Sequence, residues 1–153
     1  MYKKGFEQSA SCLSSLERFF GIKKTDQENF INSVVADLSN LLNAHPLYSE
    51  PPEEKLDMNI VHYGLPGLHI YSAYSSADQI KVSDLIKLTI ERFEPRLHDI
   101  KVSPIIPELL TEAVLSFRIS AKLSLPRYLI PIVLESRFTT NPYKVFLTIN
   151  NIE

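Results

Sequence analysis

No tryptophan occurs in this chain, and Cys12 is its single cysteine in 153 residues. One cysteine forms no internal disulfide and completes no zinc-binding spacing, so a stapled or zinc-held fold is excluded and a reducing compartment is the simplest setting. Four glycines stand against ten prolines, which points to stiff loops rather than flexible linkers. No stretch reaches the roughly 18 apolar residues that a membrane helix needs. The basic opening, Met1-Tyr2-Lys3-Lys4, is followed by no apolar signal core. We therefore expect a soluble, cytosolic protein with no direct membrane insertion. Neither sign of charge dominates either. The 16 Lys and Arg and 18 Asp and Glu are spread along the chain, for a net charge of −2. With no basic stripe, nucleic acid is not an expected partner.

What is present is a composition near the globular average, 44% hydrophobic and 22% charged, in a length that fits one domain. Residues 1–24 read as an N-terminal arm. Leu13, Leu16, Phe19 and Phe20 fall on one helical face, closed by Gly21, and this short amphipathic helix docks either on its own domain or on a partner. Residues 25–153 read as a single α+β domain. Thr25-Asp26-Gln27-Glu28 has the form of a capping box. Phe30, Val34, Leu38 and Leu41 then recur at helical spacing, which predicts a helix over about 26–44, ended by His45-Pro46. Pro51 and Pro52 suit the opening of a short helix at 53–60. The loop 69–80 is polar and weakly patterned. Ser83 is positioned to cap a helix over 83–93, which should stop at Glu94 because Pro95 follows.

From Leu97 onward the period becomes two. Ile100, Val102 and Ile106 alternate with polar residues. Leu115, Phe117, Ile119, Ala121 and Leu123 do so more cleanly, then Ile132, Leu134, Ser136 and Phe138, and finally Val145, Leu147 and Ile149. Short connections, with Thr139-Thr140-Asn141-Pro142 as a plausible turn, make the pairing mostly antiparallel. The expected fold is α+β, with N-terminal helices on one face of a small, mostly antiparallel sheet of about four strands. Proline donates nothing to a sheet ladder, so the strand 97–106 should be irregular near Pro104, and Pro131 should mark a strand start. An open sheet edge is a place for a partner to add a strand.

Two motifs carry candidate function. In Glu94-Pro95-Arg96, proline holds the chain extended, so Glu94 and Arg96 point the same way. They read as a helix-end ion pair, as a joint binding surface, or as a catalytic carboxylate with its partner. The last is the weakest reading. An adjacent arginine favours an ionised carboxylate, whereas a general acid must hold its proton, and glycoside hydrolysis needs a second carboxylate across the bond. In Tyr63-Gly64-Leu65-Pro66, Gly64 permits a conformation that other residues avoid and Pro66 fixes the exit. This reads as a tight turn with Tyr63 and Leu65 packed beneath, or as a contact loop. His45, His62, His69 and His98 lack metal-ligand spacing. There is no phosphate loop and no nucleophile motif. We expect no cofactor, no metal, no small-molecule substrate and no catalytic residue.

Taken together, Phe93-Glu94-Pro95-Arg96-Leu97 after a helix, Tyr63-Gly64-Leu65-Pro66 upstream, the Asp37–Pro46 helix and the 11–21 arm resemble the TssE family. These are the short baseplate wedge proteins of bacterial type VI secretion systems, related to the small wedge proteins of contractile phage tails, historically labelled lysozyme-like. The resemblance covers about residues 11–150. It departs at His62 and Gly67, where relatives often carry Asn and Asp. It implies structural work rather than catalysis, in the cytoplasm at an inner-membrane-docked baseplate. The implied partners are the larger wedge subunits and the sheath proteins, whose polymerisation such proteins help to start. Glu94, Pro95 and Arg96, with Tyr63, Gly64, Leu65 and Pro66, become the implied partner-binding residues. Two rival readings are an anti-adaptor-type regulator that binds a response regulator, and a peptidoglycan-cleaving lysozyme.

Overall fold

The computed structural model describes residues 24–47, 60–106, 114–125, 128–140 and 143–152. The expected arm at 1–24, apart from Lys24, and the expected helix at 53–60, apart from Ile60, lie outside them. Among the described residues, two α-helices precede four strands. Helix α1 spans Lys24–Asn43 and α2 spans Ser76–Phe93. Strands β1 (Leu97–Pro104), β2 (Leu115–Ser124), β3 (Leu129–Thr140) and β4 (Tyr143–Ile152) form one antiparallel sheet in the order β1-β2-β3-β4. This is the expected α+β arrangement, built as a meander.

The helical period in α1 turns Ile31, Val34, Leu38, Leu41 and Leu42 to the core, and α2 adds Val82, Ile86 and Ile90. Both helices pack on one face of the sheet. That face presents Leu115, Phe117, Ile119, Ala121 and Leu123 from β2, and Ile130, Ile132, Leu134 and Phe138 from β3. Each fully buried Leu, Ile or Phe contributes about 1.5–3 kcal/mol. Ser136, the polar member of the inward set, is satisfied by donating to the Phe117 carbonyl at 3.1 Å.

Several expected boundaries move. Helix α1 is described from Lys24 onward, and Thr25's side chain lies outside the described residues. Helix α2 begins at Ser76, not 83, so it takes in part of the segment read as loop. Its cap is Ser75, whose hydroxyl accepts from the Asp78 N–H at 3.3 Å. Ser83 is instead buried mid-helix and donates back to the Gln79 carbonyl at 2.9 Å. A mid-helix serine that back-bonds to position i−4 resembles a cap in sequence but does not start a helix.

The irregularity in β1 lies at Asp99 rather than at Pro104. Between His98 and Lys101 the strand carries one residue more than β2 opposite, and Asp99 takes φ +52°. This bulge moves the inward phase from Leu97 to Ile100. Pro104 ends the strand, opposite Phe117. Pro131 is the third residue of β3, not its first. It pairs with Lys122, while pairing with β4 begins only at Ile132. Among the described residues Pro131 is thus paired on the β2 side alone, and a position without a second ladder partner is where a missing N–H is tolerated. Thr140 pairs with Tyr143, so the expected turn holds residues 141–142, which lie outside the described set.

Candidate functional site

The site grows out of the junction between α2 and β1. The Glu94 N–H still donates to the Ile90 carbonyl at 2.9 Å, but Pro95 forces Glu94 out of the helical conformation, to φ −122° and ψ 81°. The Leu97 N–H closes the turn onto the Glu94 carbonyl at 3.2 Å, and the Ser124 N–H holds the Arg96 carbonyl at 2.8 Å. The backbone around Pro95 is therefore fixed at both ends. Pro95 and Arg96 form a turn rather than the expected extended segment, and the turn still brings the two side chains together. Arg96 Nε donates to Glu94 Oε1 and Nη2 to Oε2, both at 2.6 Å. This is a bidentate, charge-assisted pair.

Arg96 also reaches across to α1, where Nη2 donates to Asp37 Oδ2 at 2.7 Å. The Phe30 ring lies under the guanidinium, 6.0 Å from its carbon. Two carboxylates around one cation push the Arg96 pKa up, with the Glu94 hydrogen bond the larger cause. The pair is graded in exposure. Glu94 is only 4% exposed, whereas the side chains of Arg96 and Asp37 are 32% and 52% exposed. Of the two parts of the helix-end reading, the ion pair is present and the bonding of Arg96 to the last helical carbonyls is not.

Asp37, Asn40, Leu41, Tyr63, Phe93, Glu94 and Arg96 line an open pocket of about 250 Å³. Tyr63 meets Phe93 edge to face, with centroids 5.4 Å apart. Burial pushes the Tyr63 hydroxyl pKa up, and the charges of Asp37 and Glu94 add to this. The structure thus brings Tyr63 together with Glu94 and Arg96. The rest of that turn faces elsewhere. Gly64 has φ +121°, and a Cβ there would lie 2.3 Å from the Ala44 carbonyl oxygen, which itself accepts from the Leu65 N–H at 2.9 Å. Leu65 is fully buried and Pro66 half-buried. Gly64 and Leu65 therefore seat the turn against the end of α1, and Tyr63 is the member aimed at the pocket.

Sequence reasoning missed Asp37, Asn40, Leu41 and Phe30 as members of this site. One signal for Asp37 exists. Beyond Lys24, helix α1 has no Lys or Arg, so an exposed carboxylate on it finds no i±4 partner and must look to another element.

A second feature concerns the sheet edge at β4. The Asn43 side-chain amide accepts from the Val145 N–H at 2.9 Å and donates to the Val145 carbonyl at 3.0 Å. It thereby takes both backbone groups that Val145 turns away from β3. By the alternation of an antiparallel ladder, Leu147 and Ile149 turn theirs to the same edge, where nothing among the described residues receives them.

Chemically, the arrangement is a set of polar groups tied to one another. Both Glu94 oxygens are engaged by Arg96, and the nearby Asp37 shares that guanidinium. Among the described residues, no group of three His, Cys, Asp or Glu converges on a metal position, and no helix is long and apolar enough to cross a membrane. Fold and site define a small α+β structural module with a charged pocket beside a partly open sheet. Residues 28–126 match the family of baseplate wedge protein gp25, and the chain belongs to that family. The match spans most of α1, the whole pocket and β1–β2. The family is one of baseplate structural components, which work in contact with one another. No match was found among curated proteins or solved structures.

Proposed function

We propose that this chain is a wedge subunit of a type VI secretion baseplate, which contacts larger wedge subunits and helps to start polymerisation of the contractile sheath. It works without catalysis, in the cytoplasm at the inner-membrane-docked machine. The observation that carries the reading is membership of the baseplate wedge family across the elements that build the pocket. The geometry supports a particular set of atoms as the contact. Glu94 is buried and spent on Arg96. The exposed groups are the Asp37 carboxylate and the second terminal nitrogen of Arg96, which bonds to nothing among the described residues. A partner that offers a carbonyl or carboxylate to Arg96 and an N–H to Asp37 completes the network, and Tyr63 supplies apolar contact beside it. For the sheath, the open backbone of Leu147 and Ile149 is the edge to extend.

The test is affinity purification of the tagged chain from its host, wild type beside Asp37→Ala. Recovery of wedge and sheath proteins with the wild type, and their loss with Asp37→Ala at unchanged melting temperature, supports the reading. Recovery of a response regulator with no contractile-tail protein turns it into an anti-adaptor-type regulator. Release of muropeptides from cell wall by the purified protein overturns the non-enzymatic reading.

A further inference from the structure

The face of the sheet turned away from the helices is not apolar. Its outward positions are mixed: charged and polar residues on all four strands, with Leu129, Pro131 and Val133 at the start of β3 and Phe146 on β4, every one exposed or half-buried. Lys101, Arg118, Lys122, Arg137 and Lys144 share this face with two carboxylates, Asp99 and Glu135. A chain of net charge −2 thus concentrates an excess of positive charge on one side of its sheet. Exposed Asp26, Glu28 and Asp37 lie on α1, across the core.

Pairing within the face uses up part of this charge. Lys122 Nζ meets Asp99 Oδ2 at 2.6 Å, and Arg118 Nη2 meets Glu135 Oε1 at 3.2 Å. Lys101, Arg137 and Lys144 form no ion pair among the described residues. Lys144 instead lies 5.1 Å from the centre of the Phe146 ring, and Phe146 stands opposite Arg137 in the ladder. Arginine and aromatic residues are enriched at protein interfaces, and here an exposed phenylalanine stands opposite an arginine.

We propose that this outer face of the sheet docks an acidic protein surface, with Arg137 and Lys144 taking carboxylates and Phe146 entering an apolar contact between them. Four strands about ten residues long offer roughly 15 by 33 Å, about 500 Å², on the scale of the roughly 800 Å² per partner of a standard interface. A polyanionic phosphate backbone fits less well, because Asp99 and Glu135 stand among the cations and because Leu129, Pro131, Val133 and Phe146 add apolar surface that only a protein partner covers. This surface is separate from the Arg96 pocket, and the proposal does not depend on the baseplate reading.

The test uses the full chain and a labelled peptide with glutamates around a central phenylalanine, followed by fluorescence anisotropy at low and physiological salt. The expected result is saturable binding that weakens with salt. It should fall at least about tenfold in the double variant Arg137→Glu/Lys144→Glu, fall with Phe146→Ala, and persist with Arg137→Lys and with Arg96→Ala. Circular dichroism melts confirm that the variants fold. No binding, or binding that ignores the charge reversal, overturns the proposal. So does tighter binding of single-stranded DNA or of phosphatidylglycerol vesicles in parallel titrations, or self-association of the chain through this face without the peptide.

Discussion

At the scale of single residues, the Glu94–Arg96–Asp37 triad is asymmetric, and that asymmetry can be measured. Arg96→Ala leaves a buried carboxylate without its partner and should destabilise the fold by roughly 2–3 kcal/mol. Asp37→Ala removes only the exposed arm and should stay within about 1 kcal/mol of wild type. Urea melts of the single variants and of Glu94→Gln/Arg96→Ala check this, since in the double variant the losses should not add. Tyr143 gives a pH signature. Its hydroxyl donates to the Leu42 carbonyl at 3.1 Å, and burial pushes its pKa up to about 12 from 10.0. A raised folded-state value means that the unfolded chain gives up its proton first. The contribution is complete below pH 10 and is lost as pH rises through 12. Tyr143→Phe should therefore show a shallower loss of stability over that window than wild type in melts against pH. Of this scale, the pairing of Glu94 with Arg96 was legible, because proline and a two-residue step fix it locally. Asp37 was not, because 59 residues separate it from Arg96 and only the packing of α1 against the α2–β1 junction brings them together.

At the scale of elements, the turn at 63–66 and the end of α1 form one unit. Gly64→Ala should destabilise by more than about 1–3 kcal/mol, since both its φ of +121° and its contact with Ala44 oppose a side chain. A thermal melt detects a loss of that size. The alternation in β2, β3 and β4 was readable because one face is buried throughout, and a slip of one residue would turn every apolar group to solvent. The start of α2 was not. Ser75 and Ser83 are both serines ahead of apolar spacing, and only the three-residue step from Ser75 to Asp78 favours the first. The β1 bulge was hidden too, because an aspartate at positive φ leaves no mark in a hydrophobic pattern.

At the scale of the whole molecule, sequence supplied the class and the helix-then-strand order, while strand order and the state of the β4 edge came only with the structure. The proposed boundary after residue 24 predicts that a chain beginning at Thr25 still melts cooperatively, as circular dichroism would show. The bond pair between Asn43 and Val145 has a consequence for how such a sheet can be lengthened. The asparagine amide imitates one unit of a neighbouring strand and then stops, so it acts as a zero mark on a ruler. A strand that arrives at this edge is denied Val145 and must count its register from Leu147 onward. Asn43→Ala would erase the mark, and mixed registers in the joined sheet, read by disulfide trapping across the new pair, are the expected result.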